Sequence, residues 1–482
     1  MGDPRGIFLI NGLFAVMLAA AMLIPAAVDL VAGNADYQVF LAAAAASGFL
    51  GGTVVACTWR RGIRLTLRGA FVLTTSVWLV LPTLAALPFA MAGLEMSYTD
   101  AFFEAMSGLT TTGSTVIIGL DNAPPGILIW RSILQWLGGV GIIVTAIAVL
   151  PLLQIGGMQL FRMESSESSD KAMPRAAQIA GATAVIYLVL TLVCAVLLWG
   201  TGLGAFDAMA HAMTTVATGG FSTRDASVGG FANPHMEWII IVFMVLGSLP
   251  FVLYLQAVRG RPMALWRDTQ VRWFFLTVGG LLALVAMLTD LFLQVEPVEG
   301  LRLMLFNVIS VMTGTGYASA DYGEWGRAAT AVFFFTMFIG GCAGSTSCGI
   351  KIFRFRVMFE NARVQIRELI RPNSVLVPRF NGRPIESHVT DAVMSYFFLF
   401  AMVFGMLAFL LTLTGLDMTT ALSGAATAVA NVGPGLGDII GPSGNFQPLP
   451  DTAKWLLSAG MLLGRLELFT VLVLFTRRFW VA

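Results

Sequence analysis

Long apolar segments alternate with polar connections along most of the chain. We predict ten membrane-spanning helices, at residues 7–30, 39–57, 70–93, 127–152, 177–200, 236–256, 274–294, 327–350, 393–415 and 455–476. Each apolar run has about 18–25 residues, the length that an α-helix needs to cross roughly 30 Å of hydrocarbon. The pattern therefore predicts a polytopic helical membrane protein.

Four of the connections contain a further apolar stretch that is too short to cross a membrane. The stretches read DAFFEAMSGL, FDAMAHAMTTV, LRLMLFNVISVM and TTALSGAATAVA, and a glycine-containing loop follows each one. Their length is typical of buried or re-entrant helices. The unit of span, short helix, glycine loop and span occurs four times, with landmark glycines Gly113, Gly219, Gly316 and Gly433. The chain is therefore predicted to be an internal fourfold repeat.

The repeat also predicts the domain boundaries. Residues 1–65 would form two extra N-terminal transmembrane helices, and the four repeats would cover residues 66–170, 171–265, 266–385 and 386–482. The first apolar run could instead be a secretory signal. Its length and the second span directly after it favour a retained helix.

Positive charge is distributed unevenly between the two sides of the predicted spans. Of the 28 Lys and Arg residues, 22 lie on one side, which the positive-inside rule makes cytoplasmic. Both termini are then cytoplasmic, and we expect a bacterial inner-membrane location. The chain is 57% hydrophobic and only 11% charged, which excludes a soluble protein of this length. A net charge of +1 gives no indication of nucleic-acid binding, and we expect none.

The four glycine loops have the chemistry of a cation pore. Non-helical backbone at membrane depth must be buried in protein or line water. Four loops that come from one side can meet on an axis, where their carbonyl oxygens replace the water around a cation. Glycine permits the backbone angles that this requires. Each short helix would also direct its partly negative C-terminus at the axis, which favours a cation by up to about 1 kcal/mol.

The loop sequences resemble a known family. SGLTTTGST, TVATGGFST, MTGTGYAS and ANVGPGLGD are similar to the filter segments of the TrkH, TrkG and KtrB potassium transporters, a superfamily related to the fungal and plant Trk and HKT proteins. The length and the two extra helices resemble the TrkH/TrkG branch. The resemblance covers the whole chain and implies an all-α polytopic membrane protein with four pseudo-repeats of helix, pore loop and helix around one ion pore.

The resemblance also implies the ion ligands. Beside the filter glycines Gly113, Gly219, Gly316 and Gly433, the coordinating oxygens would come from Thr111, Thr112, Ala217, Thr218, Gly314, Thr315, Asn431 and Val432. Sodium-preferring plant relatives have Ser in place of the first filter glycine, so Gly113 indicates potassium. The fourth loop has no Thr before its glycine, and the pore should therefore depart from fourfold symmetry.

The end of the eighth span, FIGGCAGSTSCGIK, is too rich in glycine and small residues for a stiff helix. Each interior glycine costs a helix about 1 kcal/mol. Close packing through small residues is one interpretation, but we favour a broken helix that crosses the pore as a loop. The resemblance makes this the intramembrane gating loop, with gate residues Gly340, Gly341, Gly344, Ser345, Thr346, Ser347 and Gly349. Cys342 and Cys348 flank it as small buried thiols, although redox control is conceivable.

Arg465 lies near the middle of the last predicted span. A charge at that depth costs about 2.5–3.5 kcal/mol, so it should face water or a partner. Glu467 is two residues away and lies on a different helix face. We predict that Arg465 faces the pore, donates to carbonyls or hydroxyls of the gating loop, and adds a positive barrier when the gate is shut.

Four further polar residues belong to the predicted short helices. Asp100 and Asp207 are expected to be N-caps. Glu104 and His211 lie within the helices, where we favour hydrogen-bonded structural roles over a direct part in the outer mouth.

Together these features predict passive, gated potassium uptake with K⁺ as the transported ion and no bound cofactor. An H⁺- or Na⁺-coupled symporter is the alternative, but it needs an intramembrane carboxylate or His, and the spans offer little beyond Glu467. A membrane enzyme would need clustered His, Asp or Glu, whereas the three histidines are scattered.

The predicted cytoplasmic residues 351–392 are basic and would suit either anionic lipid headgroups or a docked protein. The resemblance implies a homodimer on a cytosolic nucleotide-binding ring of the TrkA/KtrA type. The chain has no G-x-x-x-x-G-K-[ST] motif, so nucleotide control would come from such a partner.

Overall fold

The chain folds almost entirely into helices. The computed structural model describes residues 4–59, 66–148, 172–289, 295–373 and 376–481, with the side chains of 67, 144–148 and 172–177 excepted. The predicted span ends at 149–152 and 290–294 lie outside the described residues.

The helices follow one another in the order α1 (Arg5–Ala32), α2 (Tyr37–Thr58), α3 (Leu67–Met91), α4 (Tyr98–Leu109), α5 (Pro125–Ala148), α6 (Ala172–Gly200), α7 (Ala205–Val216), α8 (Pro234–Ser248), α9 (Phe251–Val258), α10 (Met263–Arg267), α11 (Thr269–Leu288), α12 (Pro297–Thr313), α13 (Arg327–Thr336), α14 (Ile352–Ile370), α15 (Ser387–Leu413), α16 (Met418–Ala430), α17 (Gly437–Ile440), α18 (Asp451–Arg465), α19 (Phe469–Leu472) and α20 (Arg477–Val481). Short 3-10 turns occur at Leu120–Asn122, Ser227–Phe231, Tyr322–Trp325 and Val473–Phe475. Strands β1 (Arg379–Phe380) and β2 (Arg383–Pro384) form an antiparallel hairpin with Arg379 opposite Pro384.

Seven helices within the described ranges are long and apolar enough to cross a membrane, namely α1, α2, α3, α5, α6, α11 and α15. Two further spans are bent pairs: α8 meets α9 at 94°, and α18 meets the segment Phe469–Phe475 at 105°. The remaining predicted span, 327–350, contains only the ten-residue helix α13. The predicted repeat boundaries stay predictions.

Two predicted spans, 236–256 and 455–476, are wrong as continuous helices. The first breaks before Pro250, which has no backbone N–H to donate and cannot continue a helix. The second breaks after Arg465, where Glu467 and Leu468 have positive φ angles of 60° and 47°. By contrast, the predicted break in span 327–350 is confirmed, because helix α13 ends at Thr336 and residues 337–351 are non-helical.

The four predicted short helices are present as α4, α7, α12 and α16, which we call the pore helices. Ser97 caps α4 and Asp417 caps α16, each by accepting a backbone N–H three residues ahead. The prediction that Asp100 and Asp207 are N-caps is wrong, because both lie inside the first turn.

The interior has two main apolar clusters. One cluster contains residues of the N-terminal helices and of α4, α5, α15, α16 and α18. The other contains residues of α6, α7, α8, α9, α11 and α12. On the outside, helices α6 and α15 expose large apolar side chains such as Val196 and Phe398, as expected for surfaces that face lipid.

The two extra N-terminal helices pack closely and are tied to the first repeat. Gly12 and Gly51 lie at their crossing, where a Cβ on Gly51 would come within 2.8 Å of the Gly12 carbonyl oxygen. The buried Asp29 of α1 accepts a 2.7 Å hydrogen bond from the Gly126 N–H in the first turn of α5. This bond satisfies one of the unpaired N–H groups at a helix start.

Replacement of Asp29 by Ala should destabilise the protein by about 0.5–2 kcal/mol, because the N–H of Gly126 loses its partner. The measurement is the thermal unfolding midpoint of the purified protein in detergent. Asp36→Ala is the control, since Asp36 precedes α2 without a side-chain capping bond. Equal shifts for the two variants would contradict the capping role.

Candidate functional site

All four pore helices end in the same backbone turn. In each turn one residue adopts the left-handed conformation, and the next N–H bonds back to the carbonyl five residues earlier. The left-handed residues are Thr111, Thr218, Gly314 and Asn431, with φ of 53°, 50°, 71° and 52°. The N–H groups that follow belong to Thr112, Gly219, Thr315 and Val432. This is a Schellman ending, and it is strained at the two threonines, because β-branched residues rarely have positive φ.

A second positive φ occurs two residues after each left-handed residue. The residues that carry it are Gly113, Gly220, Gly316 and Gly433, with φ of 91°, 78°, 79° and 115°. The prediction that Gly219 is the second-loop equivalent of Gly113 is therefore wrong by one residue, and the equivalent glycine is Gly220. The pair equivalent to Thr111 and Thr112 is Thr218 and Gly219, not Ala217 and Thr218.

These four glycines pack the loops into a closed ring. A Cβ on each glycine would collide with a backbone carbonyl oxygen of the next loop. The collisions pair Gly113 with Gly219, Gly220 with Thr315, Gly316 with Val432, and Gly433 with Thr112. The order runs from repeat 1 to repeat 4 and back to repeat 1. The ring requires glycine at these positions both for the φ angle and for the space.

Side chains complete the contact between the fourth and first loops. The Ser114 hydroxyl donates to the Gly433 carbonyl at 2.7 Å, and the Asn431 amide donates to the Thr112 hydroxyl at 2.9 Å. The hydroxyls of Thr110 and Thr112 also share a 2.7 Å hydrogen bond. The third repeat has the same hydroxyl pair, Thr313 and Thr315 at 2.7 Å, whereas the fourth repeat has Ala430 and Val432 at these positions.

Each pore helix carries a polar side chain that hydrogen-bonds the chain after the ring glycine of its loop. Glu104 accepts from the Val116 N–H at 2.9 Å, and His211 Nε2 lies 3.0 Å from the Ser222 hydroxyl. In the other two repeats the side chains are Asn307, which bonds Ser319, and Ser423, which accepts from the Leu436 N–H. The structural role predicted for Glu104 and His211 is confirmed.

Asn307 and Ser423 were missed by the sequence reasoning, although a signal existed. Glu104, His211 and Asn307 each lie nine residues before the glycine of the ring. Because Gly220 lies nine residues after His211, this spacing predicts Gly220, and not Gly219, as the ring glycine of the second loop.

Glu104 also forms a buried ion pair across the first two repeats. Arg131 Nε lies 2.7 Å from Glu104 Oε1, and both side chains are at most 2% exposed. Arg131 Nη1 donates to the Ser222 carbonyl at 2.6 Å, and its guanidinium lies 4.0 Å from the Phe221 ring centroid. The pair connects α4, α5 and the second loop behind the ring.

Residues 337–351, which we call the intramembrane loop, lie directly against the ends of the pore helices. The Thr346 hydroxyl donates to the Val216 carbonyl at 3.0 Å, and the Ser347 hydroxyl donates to the Thr313 carbonyl at 2.6 Å. The Thr111 hydroxyl also lies 3.5 Å from Cys348 Sγ. The intramembrane loop therefore contacts the ends of three of the four pore helices beneath the ring.

The break between α8 and α9 supplies the acceptors that hold this loop. The N–H groups of Cys342 and Thr346 bond to the carbonyls of Ser248 and Gly247 at 3.0 and 3.2 Å. In return, the Phe251 N–H bonds to the Gly344 carbonyl at 3.0 Å. The helix break and the loop are thus one hydrogen-bonded unit.

The predicted gate residues all lie in this unit. Gly344 and Gly349 have positive φ angles of 74° and 71°, and the missing Cβ atoms of Gly340 and Gly341 leave space for Cys348 and Ser347. The Ser345 hydroxyl donates to a carbonyl within the loop, that of Cys342, at 2.6 Å.

Arg465 makes the predicted contact with the intramembrane loop. It is 3% exposed, and it donates from Nη1 to Cys348 Sγ at 2.7 Å and to the Thr346 carbonyl at 3.4 Å. Nη2 donates to the Gly138 carbonyl of α5 at 3.1 Å. Glu467 pairs instead with Arg354 at the start of α14.

The ring separates two cavities. The four positive-φ glycines line the outer one, together with Arg131, Arg224 and Asp225. The inner cavity is lined by the intramembrane loop, Asn431, Lys351, Arg465 and Glu467. Among the residues that the structure describes, no group of three or more His, Cys, Asp or Glu could hold a metal ion. The ring itself presents backbone carbonyl oxygens and the hydroxyls of threonines such as Thr110 and Thr112.

Comparison with known proteins gives consistent matches. The sequence model of the TrkH family, described as a cation transport protein, matches residues 36–480. The Trk system potassium uptake protein TrkI of Halomonas elongata is 47% identical over 476 residues, which are 98% of this chain and 95% of the relative. TrkH of Escherichia coli K12 is 38% identical over 99% of each chain. The crystal structure of the potassium transporter TrkH from Vibrio parahaemolyticus matches with a TM-score of 0.90 and 36% identity over 99% of each chain.

Replacement of either Glu104 or Arg131 by Ala should cost roughly 3–5 kcal/mol, because each leaves the other charge buried without its partner. The double variant should cost at least about 1 kcal/mol less than the sum. The measurement is the free energy of unfolding in detergent.

The control is Asp121→Ala at the outer surface. Asp121 forms a 3.0 Å ion pair with Arg224, but both side chains are at least 40% exposed. A hydrogen bond from Arg224 lowers the pKa of Asp121, so the pair stays ionised at neutral pH. Its loss should cost at most about 1 kcal/mol. An additive double variant of Glu104 and Arg131 would show that the buried charges do not interact.

Proposed function

Because this chain belongs to the TrkH family of cation transport proteins, we propose that it mediates potassium uptake across the cytoplasmic membrane through a gated, channel-like filter. The observation that carries the proposal is the closed ring of four loops, each with a glycine that leaves room for a carbonyl of the next. Relatives named as potassium uptake proteins align over nearly the whole chain, which supports K⁺ as the transported ion.

In this proposal the filter is built from two layers of backbone carbonyls. The upper layer comes from Thr112, Gly219, Thr315 and Val432, and the lower layer from Thr111, Thr218, Gly314 and Asn431. These oxygens would replace the hydration shell of K⁺. The pore helices end next to both layers, and their partly negative C-termini favour a cation.

The intramembrane loop is the proposed gate. It lies between the ring and the inner cavity, and its bonds to Val216 and Thr313 hold it against the pore helices. Arg465 fixes the loop to α18 and adds a positive charge on the ion path. Opening would require the loop and Arg465 to separate.

Passive flux is favoured over ion-coupled symport. Among the described residues that line the inner cavity, Glu467 is the only carboxylate, and it is paired with Arg354. A coupled carrier would need an ionisable group on the path that can bind and release the coupling ion.

Regulation is proposed to come from a cytosolic TrkA-type nucleotide-binding ring that docks on a homodimer. The helix α14 supports a docking surface, because it combines several arginines with the exposed apolar residues Phe359, Ile366, Leu369 and Ile370. The uneven distribution of Lys and Arg supports a cytoplasmic position for this helix and for both termini.

Expression of the chain should restore growth of a potassium-uptake-deficient strain at low K⁺, and Gly113→Ser should weaken this rescue. The Ser side chain would collide with the Gly219 carbonyl, so the K⁺ concentration needed for half-maximal growth should rise at least about tenfold, which corresponds to about 1.4 kcal/mol.

Gly119→Ser is the matched control, because Gly119 also has a positive φ, 78°, but no neighbour within 4 Å of its missing Cβ. It should rescue as the parent does. No growth with the parent chain would contradict potassium uptake, and equal rescue by both variants would contradict the filter.

Loss of Arg465 should open the proposed gate. Arg465→Ala removes hydrogen bonds from a charged donor to the loop, each worth roughly 1.5–3 kcal/mol. Basal K⁺ flux into proteoliposomes without any partner protein should therefore rise by about tenfold or more. Arg478→Ala, at the exposed end of the chain, should leave the flux unchanged. Unchanged flux and regulation in Arg465→Ala would exclude the gate role.

A further inference from the structure

One side chain from the first repeat reaches into the filter loop of the second. Gln135 of α5 is fully buried, and its side-chain amide hydrogen-bonds the backbone on both sides of Gly220. Nε2 donates to the Gly219 carbonyl at 2.5 Å, and Oε1 accepts from the Phe221 N–H at 3.0 Å. Both polar atoms of the amide are therefore directed at the backbone of another repeat.

Gln135 also explains why Gly219 has no side chain. Gly219 is absent from the residues with positive φ, so its backbone does not demand glycine. Instead, a Cβ at this position would overlap the Gln135 amide. The equivalent positions in the other three loops carry the side chains of Thr112, Thr315 and Val432. The Gln135 amide thus fills the volume that these loops fill themselves.

The carbonyl that Gln135 contacts belongs to the ring. It is the Gly219 oxygen, next to which Gly113 has no room for a Cβ. No hydrogen bond from a side chain reaches the other ring carbonyls, those of Thr112, Thr315 and Val432, in the part of the chain that the structure describes. An amide donor fixes the direction of the Gly219 carbonyl and withdraws electron density from its oxygen.

The arrangement is particular to the first repeat. Three repeats have an equivalent glycine in the helix after the pore loop, namely Gly138, Gly247 and Gly464. In each repeat, a Cβ on this glycine would contact the carbonyl of the last or last-but-one residue of the pore helix. Three residues earlier, the second and fourth repeats have Met244 and Met461, which are buried and apolar. Only the first repeat among these three has an amide at that level.

We propose that Gln135 is a specificity-determining residue of the pore, which sets the position and ligand strength of the Gly219 carbonyl. It acts through that carbonyl and does not touch the ion. The proposal rests on the filter function given above. A carbonyl that is held at a fixed distance cannot move inward to a smaller ion, so the Gln135 bond favours K⁺ over Na⁺.

The first test removes the donor and keeps the volume. Gln135→Met introduces the residue found at the equivalent positions, and Gln135→Leu is a second apolar replacement without a donor. In proteoliposomes, both variants should conduct K⁺ with a K⁺/Na⁺ flux ratio lowered about fivefold to tenfold, as expected for the loss of one buried hydrogen bond of about 1 kcal/mol. Met244→Leu is the control and should keep the parent ratio.

The second test exchanges the side chains between the two positions. Gly219→Thr alone should abolish flux, because Thr has no room beside Gln135. The double variant Gln135→Ala/Gly219→Thr introduces the Thr found in the first and third loops and should recover K⁺ flux, but with the lowered K⁺/Na⁺ ratio of Gln135→Met, because the donor to the Gly219-position carbonyl is still missing. A purely space-filling Gln135 would instead give the parent K⁺/Na⁺ ratio in this double variant.

The outcomes separate the two proposals. Absence of K⁺-selective flux in the parent protein would contradict the filter itself. Selective flux in the parent, with an unchanged K⁺/Na⁺ ratio in Gln135→Met and Gln135→Leu, would overturn only the role of Gln135. A parent-like K⁺/Na⁺ ratio in the double variant, which lacks the donor, would also overturn it.

Discussion

The structure depends on one contact that occurs four times around the ring. In each case a glycine of one loop packs directly against a backbone carbonyl of the next loop. Each filter glycine lies where a Cβ would strike the oxygen of the next loop, and the fourth contact returns to the first loop at Thr112. Loops that are separated by about 100 residues in the sequence are thereby fixed to one another. In the proposed filter, carbonyl oxygens must be held close together despite their mutual repulsion, and the ring would achieve this through its close packing.

Buried polar groups hold the ring from behind, and every repeat uses a different one. Glu104, His211, Asn307 and Ser423 perform the same task with a carboxylate, an imidazole, an amide and a hydroxyl. The first repeat adds Arg131 and Gln135, which reach the second loop. Such groups are costly to bury unless they are fully paired, so they favour one arrangement of the loops. Below the ring, the intramembrane loop uses carbonyls that are released by a helix break, which couples the two features.

Much of this fold could be predicted from the sequence, because membranes impose simple lengths. The spans, the pore helices and the break in span 327–350 follow from apolar run length and glycine density. The bends before Pro250 and at Glu467 could not be predicted in this way, since hydropathy does not distinguish a bent span from a straight one. The second filter glycine was misplaced because Gly219 and Gly220 are adjacent, and only the φ angles distinguish their roles. Gln135 was not predicted, because its partner lies 84 residues away in another repeat. The roles of the filter and gate residues stay predictions.

The most direct test of the account is to locate bound ions by anomalous scattering from crystals of the protein grown with Rb⁺ or Tl⁺ in place of K⁺. The account predicts a peak on the axis that is surrounded by the carbonyls of Thr112, Gly219, Thr315 and Val432, with Gly219 and not Ala217 contributing from the second loop. A peak away from this ring, or a ring that remains empty at saturating ion concentration, would contradict it.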